Sequence, residues 1–328
     1  MDALRIVFLD RDTLPKTIDF VGPNIPHELV IYERTAVNQV EQRIKNFDVV
    51  ITNKVKLTAQ ALQSSERLRM VAVAATGCDN VDLGYCDSNN IIVSNVRNYA
   101  VHTVPEHTFA LILALRRNLL AYRNSIAAGR WQESGNFCYF DYPITDLAGS
   151  TLGIIGQGVL GEAVAELARA FGMKVQFVTR ESRTASNYSE EGYTDFQHVL
   201  RTSDIISLHC PLTEETKGLI SAEEFRLMQA RKPLLINTAR GGLVDEQALE
   251  YALLSGQISG AGFDVASAEP PAADHPFMRL LKHDNFILTP HVAWSSAGAI
   301  KNLAKQVIDN IEAFYRDEPR NVVAGFKI

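Results

Sequence analysis

Cysteine is scarce in this chain, with four residues among 328. Cys78, Cys86, Cys138 and Cys210 are scattered, and none belongs to a Cys-x-x-Cys pair. Scattered thiols in a chain of this length fit a reducing compartment better than a disulfide framework. We therefore expect a cytoplasmic protein. Separately, the sequence contains no cluster of potential metal ligands, so it does not indicate a metal requirement.

Long apolar runs and blocks of one charge are also missing. The longest apolar run, Phe109–Leu115, is too short to span a bilayer. The first five residues lack a basic region followed by an apolar stretch, so we expect no secretory signal. Lysine and arginine are spread along a chain of net charge −6. This pattern argues against nucleic acid or an anionic membrane as a partner.

Short apolar runs alternate with helical patterns in two series. The first series of predicted strands covers Arg5–Leu9, Leu29–Tyr32, Val49–Thr52, Met70–Ala75 and Ile91–Val93. The second covers Thr151–Ile155, Lys174–Val178, Ile205–Leu208, Leu234–Asn237, Ala261–Val265 and Phe286–Leu288. This alternation predicts two α/β domains, each with a parallel sheet that is covered on both faces.

The end of the chain is predicted to return to the first domain. Apolar residues recur at helical spacing from Ile300 to Phe314, and Pro319 stops that helix. Too few elements follow His291 to build a third domain. The predicted boundaries are therefore 1–98 with 291–328 for a discontinuous domain, and 99–290 for the domain inserted into it.

A strongly apolar helix is predicted between the two series. Thr103 can cap this helix, Pro105 suits its first turn, and Phe109–Leu115 is apolar on all sides. A helix of this kind should be buried, so we expect it to lie between domains or between subunits.

A glycine-rich turn follows the first strand of the second series. Gly156, Gly158 and Gly161 form a Gly-x-Gly-x-x-Gly pattern after an apolar strand, and an amphipathic helix runs from Val159 to Phe171. The three glycines respectively permit a tight turn, close approach of a pyrophosphate and close packing of helix on sheet. The helix N-terminus then offers free N–H groups and positive dipole to phosphates. The pattern predicts a dinucleotide site.

Polar residues follow the last three predicted strands. Arg240 comes after one strand, Asp264 and Glu269 after the next, and His291 after the last. Ligands of open α/β sheets bind beyond the carboxyl ends of the strands, so these side chains could converge on one cleft. Taken singly, each also fits an ordinary role, as a solvated surface charge or a packing histidine.

Together, these residue types suit reduction of a 2-oxo acid. Histidine can donate a proton to a carbonyl oxygen near neutral pH, and a neighbouring carboxylate favours the imidazolium form. A guanidinium can bind the substrate carboxylate and polarise the carbonyl.

The sequence closely resembles the D-isomer-specific 2-hydroxyacid dehydrogenases over nearly its whole length. Beyond the segments above, Ala74–Asp82 resembles the substrate-carboxylate loop of that family, and Thr103–His107 its hinge helix. His209–Thr213 and Asn237–Gly241 resemble its cofactor-contacting strand ends. The resemblance implies a Rossmann cofactor domain inserted into a discontinuous, flavodoxin-like substrate-binding domain.

The resemblance also implies roles for individual residues. The catalytic residues would be Arg240, Glu269 and His291, and Asp264 would bind the nicotinamide carboxamide. Substrate contacts would come from Ala75, Thr76, Gly77, Arg240, His291 and Trp294. Cofactor contacts would come from Thr103, Gly156, Gln157, Gly158, Val159, Leu160, Gly161, Thr179, Arg180, His209, Cys210, Pro211, Thr216, Thr238, Ala239, Arg240, Asp264, His291 and Ala293.

Within the family, the segments Asn98–Ala100, Val104–His107 and His291–Trp294 are most similar to glycerate dehydrogenases, also called hydroxypyruvate reductases. This implies reduction of hydroxypyruvate or glyoxylate by a homodimer. A dehydrogenase for D-lactate or phosphoglycerate, and a nicotinamide-sensing corepressor, are the alternatives. Formate dehydrogenases of this superfamily have glutamine where this chain has Glu269, which disfavours that activity.

NADPH is the expected cofactor, with NAD as the alternative. Folds of this type that prefer NAD place a carboxylate at the end of the second strand, where it binds the ribose 2′-OH. Here that position falls on Thr179, and Arg180 follows it. A hydroxyl and a guanidinium can bind a 2′-phosphate. If the strand continues, Glu181 would take the ribose instead.

Overall fold

The computed structural model describes residues 3–178 and 193–325. Contacts between Cα atoms divide the chain into two compact units. One comprises Met1–Tyr99 with Ser295–Ile328, and the other comprises Ala100–Trp294. The chain thus leaves the first unit once and returns to it once.

The first unit contains a sheet of six strands among its described residues. The strands are β1 (Leu4–Phe8), β2 (His27–Ile31), β3 (Val49–Thr52), β4 (Met70–Val73), β5 (Ile92–Ser94) and β13 (Val322–Ala324). The helices are α1 (Val40–Ile44), α2 (Ala59–Gln63), α3 (Leu83–Ser88) and α12 (Ala297–Tyr315). The strand order is β2-β1-β3-β4-β5-β13. Its first five strands are parallel and follow the flavodoxin-like order.

The tail completes this unit. Helix α12 packs against β4 and buries Leu303, Val307 and Ile311. After it, β13 adds an antiparallel edge, with Val322 opposite Ser94. The chain thus ends in the unit in which it begins.

The second unit contains a parallel sheet of seven strands among its described residues. The strands are β6 (Thr151–Ile155), β7 (Lys174–Val178), β8 (Tyr193–Thr194), β9 (Ile205–Leu208), β10 (Leu234–Asn237), β11 (Gly260–Phe263) and β12 (Phe286–Leu288). The helices are α4 (Thr103–Arg116), α5 (Leu119–Ala127), α6 (Arg130–Ser134), α7 (Val159–Ala170), α8 (Phe196–Thr202), α9 (Ala222–Met228), α10 (Glu246–Leu254) and α11 (Pro276–Leu280).

The order of this sheet is β8-β7-β6-β9-β10-β11-β12. It is the Rossmann order with one strand added at the β12 edge. The predicted fold class, two doubly wound parallel-sheet domains with the Rossmann domain inserted into the flavodoxin-like one, is confirmed. The sheet order also places β6 and β9 side by side at the topological switch point, where this fold binds its ligand.

Two edge strands were missed by the sequence prediction. Strand β8 has two residues and β13 has three, and segments of this length carry no readable alternation of apolar and polar residues. Strand bounds elsewhere differ from the prediction by one or two residues at a few ends, which is the usual uncertainty of element boundaries.

Helix α4 packs within the second unit, and its predicted place between domains or between subunits stays a prediction. The helix packs against α7 and against β10, β11 and β12, all within the second unit. Phe109 is buried and stacks on Phe171 at the C-terminal end of α7, with ring centroids 5.2 Å apart. The helix buries Phe109, Leu111, Ile112 and Leu115 in the core of the second unit, whereas Leu113 stays partly exposed. The predicted cap is wrong, because the N-cap is His102 and Thr103 is the first helical residue.

Among the helices that the structure describes, none has the length and apolar character needed to cross a membrane.

Candidate active site

The predicted catalytic residues follow three neighbouring strands of the second sheet. Arg240 comes after β10, Glu269 after β11 and His291 after β12. Since these strands are parallel, their carboxyl ends share one edge of the sheet. The fold therefore brings to one edge three residues that are far apart in the sequence.

His291 and Glu269 form a hydrogen-bonded pair. The distance from His291 Nδ1 to Glu269 Oε2 is 2.7 Å, and both side chains remain partly exposed. Glu269 Oε1 accepts a hydrogen bond from the backbone N–H of Ala266 at 3.1 Å. With Nδ1 engaged by the carboxylate, Nε2 is the ring nitrogen available for proton transfer.

Asp264 holds the segment that carries His291. Its carboxylate is buried, and Oδ1 accepts hydrogen bonds from Thr289 Oγ1 at 2.5 Å and from the N–H of Val292 at 2.9 Å. Oδ2 accepts from the N–H of Ala293 at 2.8 Å. These bonds hold residues on both sides of His291, whose φ of 55° lies in the left-handed region. Such a conformation costs about 1–3 kcal/mol and persists only where its surroundings enforce it.

His107 of α4 extends this network. Its Nε2 lies 2.9 Å from Thr289 Oγ1. Because the Thr289 hydroxyl proton already goes to Asp264, His107 Nε2 is the donor in this bond. The sequence prediction gave no role to Thr289, and its only signal was a hydroxyl residue next to a strand end.

The turn that carries Arg240 is closed by Asn237, which the sequence prediction did not single out. Asn237 is fully buried at the end of β10. Its side-chain amide donates to the carbonyl of Arg240 at 2.8 Å and accepts from the N–H of Ala239 at 3.1 Å. Arg240 itself is half-buried, and its Nη1 donates to the carbonyl of Ala239 at 2.8 Å. A buried amide thereby fixes the backbone from which the guanidinium projects.

The glycine-rich turn has the geometry that its sequence predicted. Gly156 has a φ of 113°, and a Cβ there would lie 2.4 Å from the backbone of His209. A Cβ on Gly161 would lie 2.2 Å from the carbonyl oxygen of Gly156. A Cβ on Gly158 would meet no described atom within 4 Å. Packing therefore requires the first and third glycines, whereas the second leaves its backbone accessible to a ligand.

Helix α7 begins directly at this turn. Its N-cap is Gly158, which has no side chain that could satisfy the first N–H groups. Gln157 precedes this cap, and Gly158, Val159 and Leu160 lie at the helix N-terminus, where backbone N–H groups and the positive end of the dipole suit a pyrophosphate. These residues fit the nicotinamide dinucleotide that the sequence predicted.

The end of β9 closes the other side of the turn. Burial lowers the pKa of His209 to about 4, so its ring is neutral at neutral pH, and its Nε2 lies 2.8 Å from Ser207 Oγ. Burial raises the pKa of the Cys210 thiol to about 11, which makes it a poor nucleophile at neutral pH. Both residues therefore present uncharged side chains beside the glycine turn.

Several predicted cofactor contacts are already used within the protein. Thr216 Oγ1 donates to the carbonyl of Pro211 at 2.7 Å, and Thr238 Oγ1 lies 3.1 Å from Thr108 Oγ1. Thr103 Oγ1 donates to the carbonyl of Ala293 at 3.1 Å, so the Ala293 backbone is bonded at both its N–H and its carbonyl. These bonds give the residues a structural role that the sequence did not reveal.

Trp294 is joined to the catalytic segment. Its indole N–H donates to the carbonyl of His291 at 2.9 Å. The backbone of His291 therefore orients the ring of Trp294, which was predicted as a substrate contact.

The predicted substrate-carboxylate loop lies in the first unit, directly beyond β4. Thr76 is exposed, its hydroxyl donates to the carbonyl of Val96 at 2.8 Å, and its carbonyl accepts from the Asn95 amide at 2.7 Å. The carbonyl of Ala75 accepts from the N–H of Val96 at 3.0 Å. The loop Ala75–Gly77 is thus fixed against residues 95–96.

Thr179, Arg180 and Glu181, on which the cofactor prediction rests, lie outside the described residues. Among the residues that the structure describes, no group of three or more His, Cys, Asp or Glu side chains could hold a metal ion.

The sequence matches a family of known dehydrogenases. The family model described as "D-isomer specific 2-hydroxyacid dehydrogenase, NAD binding domain" matches residues 109–293. The chain is 47% identical to a glycerate dehydrogenase of Methylorubrum extorquens over 321 residues, which are 97% of this chain and 98% of that protein.

Two solved structures show the same fold. An acyclic imino acid reductase in complex with NADPH and D-Arg has a TM-score of 0.83 and 28% identity, covering 98% of this chain and 100% of its own. A D-lactate dehydrogenase of Aquifex aeolicus with NAD and lactic acid has a TM-score of 0.81 and 30% identity, covering 95% and 96%.

The inserted Rossmann sheet with its glycine turn, together with the matching family model, defines a nicotinamide-dependent oxidoreductase. More narrowly, the chain belongs to the D-isomer-specific 2-hydroxyacid dehydrogenase family. The family resemblance drawn from the sequence is therefore confirmed.

Proposed function

We propose that this protein reduces hydroxypyruvate, or a similarly small 2-oxo acid such as glyoxylate, to the D-2-hydroxy acid. The observation that carries the proposal is the 2.7 Å bond between His291 Nδ1 and Glu269 Oε2, on the sheet edge that the glycine turn shares. The identity to a glycerate dehydrogenase supports the choice of substrate, since oxidation of glycerate at C2 gives hydroxypyruvate.

In this mechanism His291 donates a proton from Nε2 to the carbonyl oxygen of the 2-oxo acid. Glu269 holds Nδ1 and thereby fixes the orientation of the ring, which leaves Nε2 for the proton transfer. In the oxidation direction the neutral ring takes the proton back. A nicotinamide cofactor, when bound, supplies or accepts the hydride.

Arg240 is proposed to bind the substrate carboxylate and to polarise the carbonyl. Asp264 is proposed to meet the nicotinamide carboxamide, for which its oxygens keep acceptor capacity beside the three hydrogen bonds they receive. In the first unit, the backbone of Ala75–Gly77 is proposed to bind a carboxylate. Trp294 is proposed as an apolar substrate contact.

A panel of 2-oxo acids tests this proposal. Hydroxypyruvate, glyoxylate, pyruvate and phosphohydroxypyruvate are each mixed with the protein and reduced cofactor, and loss of nicotinamide absorbance is followed. We expect the highest kcat/KM with hydroxypyruvate or glyoxylate and a D-configured product on chiral chromatography. Cofactor binding without turnover of any of these acids would contradict the proposal and favour a nicotinamide-sensing role.

For the cofactor, we propose that NADPH is used at least as well as NADH. The support is the sequence after β7, where Thr179 and Arg180 stand in place of the carboxylate that selects NAD. Arg180→Ala should lower kcat/KM for NADPH and leave that for NADH unchanged, because only NADPH carries the 2′-phosphate. Lys174→Ala, which removes an exposed cation at the start of the same strand, is the matched control. A wild type that strongly favours NADH would overturn this part.

We further propose a homodimer that forms through the segment after α4. Phe137 is 91% exposed and Phe140 is 86% exposed, and the exposed side chains of Leu119, Trp131 and Ile144 belong to the same segment. Large exposed apolar side chains grouped in one segment are typical of an interface. A second copy is the proposed occupant because the family resemblance implies a dimer.

Light scattering at several concentrations tests the assembly. The wild type should have the mass of two chains, and a Phe137→Ser/Phe140→Ser variant should have the mass of one. Val37→Ser, at a position that is 87% exposed in the first unit, is the control and should remain dimeric. A monomeric wild type would contradict the proposal.

A further inference from the structure

Glu269 lies in the turn formed by residues 266–275, between β11 and α11. This turn is held by Glu246, which the proposed chemistry does not use. The backbone N–H of Ser267 donates to Glu246 Oε1 at 2.7 Å, and the Ser267 hydroxyl donates to Glu246 Oε2 at 2.5 Å. Glu246 is the first residue of α10, and its side chain is 9% exposed. A carboxylate that takes both donors of one residue fixes the position and the orientation of that residue.

His275 binds the same carboxylate from the far end of the turn. Its Nε2 lies 2.8 Å from Glu246 Oε2, and its Nδ1 accepts from the backbone N–H of Phe277 at 3.2 Å. Because Nδ1 is an acceptor, the ring proton lies on Nε2 and is donated to Glu246. One carboxylate thus ties Ser267 and His275, which bracket the segment containing Glu269.

The opposite side of the same turn rests against the backbone beside Arg240. A Cβ on Gly241 would lie 2.0 Å from the carbonyl carbon of Ala266 and 2.3 Å from the nitrogen of Ser267. The peptide between Ala266 and Ser267 is therefore confined between Gly241 and the Glu246 carboxylate. Ala266 is also the residue whose N–H binds Glu269 Oε1.

We propose that Glu246, together with His275, is a positioning residue for Glu269, and acts through Glu269 on the proton-transferring ring of His291. The proposal rests on the function proposed above. Glu246 fixes the peptide between Ala266 and Ser267, and this peptide directly follows the Ala266 N–H that holds one oxygen of Glu269. The other oxygen of Glu269 holds the imidazole. A shift of this peptide would move the carboxylate relative to His291.

The chain offers a matched control one helical turn further on. Glu250 of α10 binds Arg279 of α11, with Nε to Oε1 at 2.6 Å and Nη2 to Oε2 at 2.5 Å. This pair joins the same two helices as Glu246 and His275, but its carboxylate is taken by an exposed arginine instead of by the turn. Its loss reports the contribution of helix-to-helix packing alone.

The first experiment compares Glu246→Gln with Glu250→Gln. In Glu246→Gln an NH2 group faces N–H and O–H donors, so the turn should shift. Since a misplacement of about 1 Å can lower a rate about 10²-fold, we expect kcat with hydroxypyruvate to fall by about tenfold or more. The KM for the 2-oxo acid and the Kd for the reduced cofactor should stay near the wild-type values. Glu250→Gln should keep its kcat.

A double-mutant cycle with Glu269→Gln separates positioning from general damage. If Glu246 acts through Glu269, Glu246→Gln should lower kcat much less in the Glu269→Gln background than in the wild type. His275→Asn is the second test variant, because asparagine keeps the cap of α11 and loses the contact with Glu246. It should lower kcat in the same background-dependent way.

Three results would overturn the inference. A wild-type kcat in both Glu246→Gln and His275→Asn would show that the turn needs no such support. An equal fall in kcat with and without Glu269 would show a structural effect only. A wild type that reduces no 2-oxo acid would overturn the proposed function and this inference with it, whereas the first two results leave that function standing.

Discussion

The position of His291 depends on a carboxylate that its ring does not contact. Asp264 receives three hydrogen bonds from residues 289–293 and is almost fully buried. The place of Asp264 after a strand predicted that it could join the cleft, and the family resemblance implied that it binds the cofactor. The sequence could not predict that these bonds hold the backbone of His291 in the left-handed region, because they join residues that are 25 to 29 positions apart in the sequence.

Asp264→Asn tests this support. An asparagine NH2 would face either the N–H of Ala293 or the donors of Thr289 and Val292, so buried donors would lose their acceptor. We expect the free energy of unfolding to fall by about 1–3 kcal/mol, and kcat to fall by about tenfold or more. Urea denaturation and steady-state kinetics measure the two effects. Asp309→Asn, which removes an exposed pair with Lys305, should change either quantity little.

His209 should make the stability of the second unit depend on pH. Burial lowers its pKa to about 4, whereas in the unfolded chain the pKa is about 6.5. Between these values the unfolded chain binds the proton and the folded chain does not, so stability is fully present above pH 6.5 and is lost as pH falls towards 4. The slope from this one residue is at most about 1.4 kcal/mol per pH unit.

Denaturation in urea at a series of pH values through this window measures the effect. His209→Gln should show a shallower loss of stability on acidification than the wild type, because glutamine takes up no proton. The same pH dependence in both proteins would show that His209 is not the group responsible.

Among the elements, the strand, turn and helix around Gly156 were the most predictable from sequence. Local signals carry this unit, namely an apolar strand, three spaced glycines and an amphipathic helix. The packing of α4 was not predictable in the same way. Its apolar residues specify burial, but they do not specify the surface that buries them, and that surface is its own sheet.

The supporting residues of the site were the least predictable part. Glu246 and His275 belong to no motif that was recognised, and Glu246 binds residues that lie outside its own helix. Asn237 belongs to the recognised segment Asn237–Gly241, but the sequence did not show that its side chain closes the turn. Hydrogen bonds of this kind leave no periodic pattern in the sequence, so only the folded chain reveals them.

Gly158→Ala and Gly161→Ala should separate ligand binding from folding at the glycine turn. A methyl group on Gly161 would lie 2.2 Å from a backbone carbonyl, so we expect a loss of stability of about 1–3 kcal/mol. A methyl group on Gly158 meets no described atom within 4 Å, so stability should hold while the Kd for the dinucleotide rises clearly. Thermal unfolding and cofactor fluorescence titration measure the two quantities. Unchanged cofactor affinity in Gly158→Ala would contradict the assignment of the turn.

At the level of the whole molecule, each unit has a doubly wound sheet with its own strand order. In the second unit the order changes direction between β6 and β9, and the glycine turn packs against His209 at that place. The residues proposed to be catalytic follow the strands on one side of this point. The order of β10, β11 and β12 thus explains why Arg240, Glu269 and His291 lie at one edge of the sheet although they are far apart in the sequence.

The central claim is that His291 transfers the proton in reduction of a 2-oxo acid. The most direct measurement compares kcat for hydroxypyruvate and Kd for the reduced cofactor in the wild type and in His291→Asn. Positioned acid–base catalysis contributes roughly 10²–10⁴-fold, so kcat in the variant should fall by about that factor while Kd stays nearly constant. A variant that retains close to the wild-type kcat would contradict the claim.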